Sequence, residues 1–312
     1  GVADPKAILL QDRRMVDDLA RRVGKAKARA LLERAAKDLE SRLSKLRAPG
    51  GADATFTEAH MRMALAQVKA ALAPLTAGLG GVTRALGKQA AALTAEATIA
   101  YAKEAEKRFK GISQPLQIDE AAVFEKASAA GVSSVVRRIA EDPQHPGKPG
   151  VLDRYGGAVM DNIENELGLR FLAKRSWQET IEAVAEKSPF LQGAPAYWAE
   201  RLVRTEVMSA SNSAAHAGIQ ALDDELGDAC KVLVATFDNR TAADSYAVSG
   251  QIRRPKEMFD TWQGKVMHPP ARPNDREVVV PHRISWPIPA ELEPRSPGEV
   301  SAKWREEGHK GG

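Results

Sequence analysis

Residues 194–226 read APAYWAERLVRTEVMSASNSAAHAGIQALDDEL, and the spacing predicts one long helix that starts at Gly193-Ala194-Pro195. On a helical wheel it has two apolar sides. Val203, Val207, Ala210, Ala214, Ala217 and Ala221 form a narrow stripe of small residues, and Met208, Ala215, Ile219, Leu222 and Leu226 form a bulkier one. Glu206, Ser209, Ser213, His216 and Gln220 lie between them. A helix with two apolar sides packs between layers, so this one is expected to be central, its small stripe letting other helices approach closely. Arg204 points toward the bulky side, where a guanidinium needs a carboxylate or several carbonyls. It reads as a structural clamp to a downstream loop, with a catalytic or ligand-binding arginine as the alternative. Glu206 and His216 share the polar strip but stand almost three turns apart, too far for an acid–base pair.

Behind this helix, residues 231–237 (KVLVATF) have the length and β-branching of a strand. Asp238-Asn239-Arg240-Thr241 and Ser249-Gly250 are turn chemistry. Pro269-Pro270 and Pro273 hold an extended loop, and residues 278–280 return as a strand beside 231–237. A small β-containing module capped by the long helix follows. Arg253, Arg254 and Lys256 suit either a phosphate contact or a solvated loop.

Upstream, the chain reads as helical scaffold. Asp4-Pro5 starts an amphipathic helix, or two with a break near Gly24, ending at Pro49-Gly50-Gly51. As one helix this arm would reach ~60 Å. A second helix is expected over 57–72 with Thr57 as its cap, ended or kinked by Pro74, and Gly78, Gly80 and Gly81 signal a break. Helix resumes over 82–110. Asp119-Glu120 opens a short helix to about residue 130, and Ser133 caps another. Residues 142–150 (DPQHPGKPG) form the clearest linker, with His145 as a solvent-exposed residue. Helix follows over 151–173, and Ser176-Trp177-Gln178-Glu179 is a capping box. The expected organisation is a helical region over 1–141, the linker 142–150, a module over 151–290 and a flexible tail over 291–312. The fold class is mainly α: a long N-terminal helical arm and helical region, with a small C-terminal α+β module of one long helix and short strands.

At 312 residues the chain is long enough for two compact domains, or one domain with a long arm. No run approaches the ~20 apolar residues that span a bilayer, and the N-terminus lacks a signal-peptide core, so no membrane partner and a cytoplasmic origin are expected. The single cysteine, Cys230, excludes an internal disulfide and a paired-cysteine zinc site, and reads as a half-buried residue before a strand. Residues 1–50 carry thirteen Lys and Arg against seven Asp and Glu. Arg13, Arg14, Arg21, Arg22, Lys25, Lys27 and Arg29 are therefore candidate nucleic-acid or partner contacts, the alternative being the solvated face of a long helix.

One ordered set of residues carries a family resemblance. Arg204-Thr205-Glu206, Asn212, Ala215, Gly218, Lys231, Asp238-x-Arg240-Thr241, Gly250-Gln251, Phe259, Pro269-Pro270 and Pro273-Asn274-x-Arg276 resemble the Mu F-like phage head morphogenesis family over about residues 195–282. The resemblance implies a structural minor head protein of a tailed phage, not an enzyme, without cofactor or metal. It would lie inside the virion head near the portal and be assembled in the host cytoplasm. The portal protein and other copies of itself would be its partners, with capsid protein and packaged double-stranded DNA as further contacts. Many members carry Cys or His in the turn after Asp-x-Arg and Cys on both sides of the final Arg. Here Ala242, Ser245, Asp275 and Glu277 stand in those places. The loop is then expected to be pinned by ion pairs, with Arg240 and Arg276 facing Asp238, Asp275 or Glu277.

Two alternatives stand beside this reading: a DNA-binding protein using the basic N-terminal helix, and a phage-borne effector enzyme on the same module. The sequence holds no Gly-rich phosphate loop, HExxH, GxSxG elbow or metal-ligand cluster for an enzyme, and its histidines are scattered.

Overall fold

The computed structural model describes residues 5–47, 50–110, 116–142, 147–186, 193–235, 243–261, 264–272 and 275–287. Asp238, Arg240, Thr241, Ala242, Pro273, Asn274 and the tail 291–312 lie outside the described residues, as does His145. The chain is mainly helical, with a small α+β module at its C-terminal end. It forms two compact units whose segments interleave along the sequence, rather than following one another across the 142–150 linker. The first comprises Gly1–Ala20, Ala85–Val135 and Thr205–Gly312; the second comprises Arg21–Arg84 and Val136–Arg204.

The N-terminal arm is two helices, α1 (Pro5–Asp18) and α2 (Gly24–Ser44), joined by a π-helical turn over Leu19–Val23. The break expected near Gly24 is thus a one-turn widening of the helix. Next comes α3 (Glu58–Lys110), one continuous helix through Pro74 and the glycines. The expected break does not occur. Pro74 lies on the exposed side, and the Thr76 hydroxyl donates to the Ala73 carbonyl at 3.0 Å. Gly78 and Gly80 are close-packing positions: a Cβ there would meet Leu31 Cδ2 and Leu152 Cδ1, each at 2.7 Å. By length and composition α3 is also apolar enough to cross a membrane, contrary to the sequence expectation. Its Leu75, Leu79, Leu86, Ala90, Ala91 and Ala95 are buried in this fold.

Helix α4 (Glu120–Ala140) is likewise single where two were expected. Asp119 caps it, accepting from the Ala122 amide at 3.0 Å. Ser133 is exposed mid-helix and caps nothing. Gly131, between the two expected helices, is where helices meet: a Cβ there would stand 2.5 Å from Ala91 Cβ and 2.7 Å from the Ala210 carbonyl.

In the second unit, α2 buries Ala28, Leu32, Ala35, Leu39 and Leu43 at helical spacing. Helix α5 is Val151–Leu172 and α6 is Trp177–Glu186. The capping box forms as expected: Ser176 Oγ accepts from the Glu179 amide, and Glu179 Oε2 accepts from the Ser176 amide, both at 3.2 Å. Trp177 stacks on Phe56 with centroids 6.1 Å apart and meets His60 edge-on at 5.0 Å. His60 is a core histidine, its Nδ1 accepting from the Thr57 amide.

The long helix is α7 (Ala194–Leu226). Every residue from 205 to 215 is buried, polar ones included, so it is central as its two apolar sides require. In the first unit it is followed by β1 (Ala229–Val234), α8 (Ala243–Val248), β2 (Ile252–Arg253), β3 (Phe259–Thr261), β4 (Gly264–Val266) and β5 (Val278–Arg283). The main sheet has the order β2-β1-β5, antiparallel throughout, with Lys231 opposite both Arg253 and Pro281. The expected return of 278–280 beside the first strand is observed; α8, β2, β3 and β4 were not foreseen. Cys230 is buried within β1, not half-buried before it. Ile99, Tyr101, Val123, Ile219, Leu222, Leu233, Phe259 and Trp286 share one core.

Candidate functional site

The resemblance residues that are described gather where α7 meets the small sheets, and several prove to be structural pins. Asn212 sits mid-helix, fully covered. Its Nδ2 donates to the Glu277 carbonyl at 3.1 Å and to Met208 at 3.2 Å, and its Oδ1 accepts from the Val279 amide at 3.0 Å. One amide side chain thereby pairs with the backbone entering β5. Gly250 has φ +89, a conformation that favours glycine, and its amide donates to Leu233 at 2.8 Å. Gln251 behaves like a second backbone: Nε2 donates to the Asp260 carbonyl at 2.7 Å, and Oε1 accepts from the Asp260 amide at 3.0 Å. The peptide between Pro269 and Pro270 is cis.

Lys231 is wholly buried on β1. Its Nζ donates to the Met267 carbonyl at 2.7 Å and lies 4.9 Å from the Phe259 ring centre. Burial lowers its pKa to about 8, and Glu257 partly offsets this. Nearby, Ser213 Oγ is 3.2 Å from His268 Nε2, while His268 Nδ1 is 2.7 Å from the Pro269 carbonyl. If Nδ1 carries the proton and donates to that carbonyl, Nε2 is left to accept the serine proton. His216 packs beside His268 at 5.6 Å. Burial first, then Lys231 and His268, lowers its pKa to about 3, so it stays neutral. The Ser–His spacing is that of a nucleophile and its base, but Ser213 is buried within the middle of α7.

Three of the four positions singled out by the resemblance, Ala242 being the fourth, also meet. Ser245, Asp275 and Glu277 line a narrow cleft of ≈ 10 Å³ walled by Leu233, Val248 and Pro269. Asp275 Oδ2 accepts from the Ala271 amide at 2.9 Å. Arg272 lies 3.5 Å from Asp275 through Nε, and its Nη2 donates to Ser245 Oγ at 3.1 Å. Burial, followed by the hydrogen bond and charge of Asp275, pushes Glu277 up to about 8. The arrangement is a protonated glutamic acid beside an arginine-paired aspartate. Arg272, which was not foreseen, pairs with Asp275. The Arg276 carbonyl accepts from Arg13 Nη2 at 2.7 Å. Arg240 and its proposed partner Asp238 lie outside the described residues.

The remaining candidates disperse. Glu206 is buried and Arg204 half-buried on α7, and His216 lies apart from Glu206 as the helix spacing requires. Of the basic set, Arg13 is committed to the Arg276 carbonyl, while Lys25 and Arg29 pair with Glu200 at 3.4 and 2.8 Å. Arg21 is half-buried; Arg14, Arg22 and Lys27 are exposed. Arg253 and Arg254 serve the module rather than standing as a phosphate site. Arg253 bonds Asp260 at 2.9 Å, and Arg254 donates to the Gly227 carbonyl at 2.9 Å.

Two polar networks were not anticipated. Asp12 on α1 accepts from Thr94 at 3.4 Å, and Thr94 lies 2.8 Å from Ser211 Oγ. Burial raises Asp12 to about 7. Glu106 Oε2 accepts from Arg283 at 2.8 Å and from the Trp286 indole at 2.7 Å, and Arg283 reaches Asp228 at 2.6 Å. Their partners are far apart in sequence, and no local signal marks them.

Comparison with models of protein families, with curated proteins and with solved structures found no match.

Proposed function

We propose that the chain is a minor head protein of a tailed phage, held inside the virion head near the portal and acting in head assembly. The observation that carries this is the ordered residue set over 195–282. Its described members Asn212, Lys231, Gly250, Gln251 and Phe259 hold α7 and the small sheets together. Such residues are used for holding a shape, which suits a part that occupies a place in an assembly. Of the pair with catalytic spacing, Ser213 is buried in the middle of α7. In this reading the role is structural, with the portal protein and further copies of the chain as partners, and packaged DNA met through exposed Arg14, Arg22 and Lys27. Mass spectrometry of heads purified from the phage that encodes it tests this. The chain is expected at a few copies per head, and its absence from heads would overturn the reading.

A further inference from the structure

Helices α3 and α4 leave an open groove of ≈ 500 Å³ between them. Its floor is apolar, formed by Ile99, Ala100, Ala121 and Phe124, and its rim carries Glu96, Glu104 and Glu120. Lys103 answers Glu120 at 2.6 Å and Lys107 answers Glu104. Glu96 is exposed and has no ion-pair partner among the described residues. The groove is thus apolar inside with a surplus of negative charge at its edge.

The end of α5 carries the reverse pattern. Leu169, Phe171 and Leu172 are 64 %, 40 % and 74 % exposed, three large apolar side chains within four residues. Lys174 and Arg175 beside them are exposed and have no carboxylate partner among the described residues, whereas Arg170 is held by Glu166. This tip has a defined shape. The Lys174 amide donates to Phe171 at 3.0 Å, and the Arg175 carbonyl accepts from the Phe56 amide at 2.8 Å. A preformed apolar tip loses little conformational freedom on docking, and contiguous exposed apolar side chains mark contact surfaces.

We infer that the α5 tip of one copy seats in the α3–α4 groove of a second copy, Leu169, Phe171 and Leu172 on its floor and Lys174 and Arg175 against its acidic rim. Tip and groove are different surfaces, so the contact is head-to-tail and propagates into a ring or an open chain. The inference deepens the self-association in the proposed function, yet rests on this complementarity alone. A chain that ignores portal protein can still pass or fail the test below.

The test is light scattering on the full chain at increasing concentration, with two double charge reversals. K174E/R175E alters the tip, and E96K/E120K alters the groove. The wild-type chain is expected to assemble beyond dimers by about 100 µM, a range in which weak contacts register. Each reversal should raise the concentration of half-assembly at least ~10-fold, because like charges then face each other. An equimolar mixture of the two variants restores opposite charges at both contacts and should assemble as the wild type does, which also shows that both variants fold. A wild-type chain that stays monomeric, assembly unaffected by either reversal, or a mixture that fails to recover would each overturn the inference.

Discussion

Asn212 on α7 binds the backbone amide of Val279 on β5 through its side-chain oxygen at 3.0 Å, and the carbonyl of Glu277 through its nitrogen at 3.1 Å. A single buried side chain thus does for β5 what a neighbouring strand would do. Replacing Asn212 with Leu keeps the volume and strands both backbone groups. Leaving buried donors and acceptors unpaired costs about 1–3 kcal/mol each, so N212L should lower the unfolding free energy by about 2–4 kcal/mol. Urea unfolding measures this, and a loss within error of zero would deny the pin.

Close approach at Gly131 makes an opposite kind of prediction. A Cβ there would lie 2.5 Å from Ala91 and 2.7 Å from a backbone carbonyl. Although alanine is the better helix former, G131A should destabilise by about 1–3 kcal/mol through overpacking. If propensity decided the outcome, thermal melts would show G131A gaining stability.

Glu277 gives the module a pH signature. Its folded pKa, about 8, lies above the ordinary 4.5. The folded state therefore holds a proton that the unfolded state releases, and stability falls as pH rises from about 4.5 through 8. Glutamine cannot ionise, so E277Q should flatten unfolding free energy across that window and exceed the wild type above it. Parallel pH profiles for the two chains would contradict the buried acid pair.

Asp12 should act in the same direction but elsewhere. Burial raises it from 3.8 to about 7, so the seating of α1 weakens as pH climbs between those values. Protection factors of the α1 amides, corrected for the intrinsic base-catalysed exchange rate, are expected to fall over that interval in the wild type and to stay level in D12N. An equal fall in both chains would remove Asp12 as the cause.

What could be read from the sequence was local. Capping at Ser176, Glu179 and Asp119, the two-sided α7 and the β1–β5 pairing follow from residue type and spacing within a few positions. The breaks expected at Pro74, at Gly78 and between residue 130 and Ser133 failed because packing decided them: Pro74 faces outward, and Gly78 and Gly131 mark where another segment comes close. Arg272 reaching Ser245, and Arg13 binding the Arg276 carbonyl, depend on how distant segments meet. Glu106 and Arg283 lie 177 residues apart, beyond any periodic pattern. The short β2, β3 and β4 carry too few residues for alternation to register.

The central claim is a place beside the portal. Co-purification of the full chain with the portal protein of the same phage, from cells making only those two proteins, tests it most directly. The account predicts a stable complex that survives moderate salt, because a structural contact does not rest on surface charge alone. Portal protein recovered free of the chain at every salt concentration would contradict it.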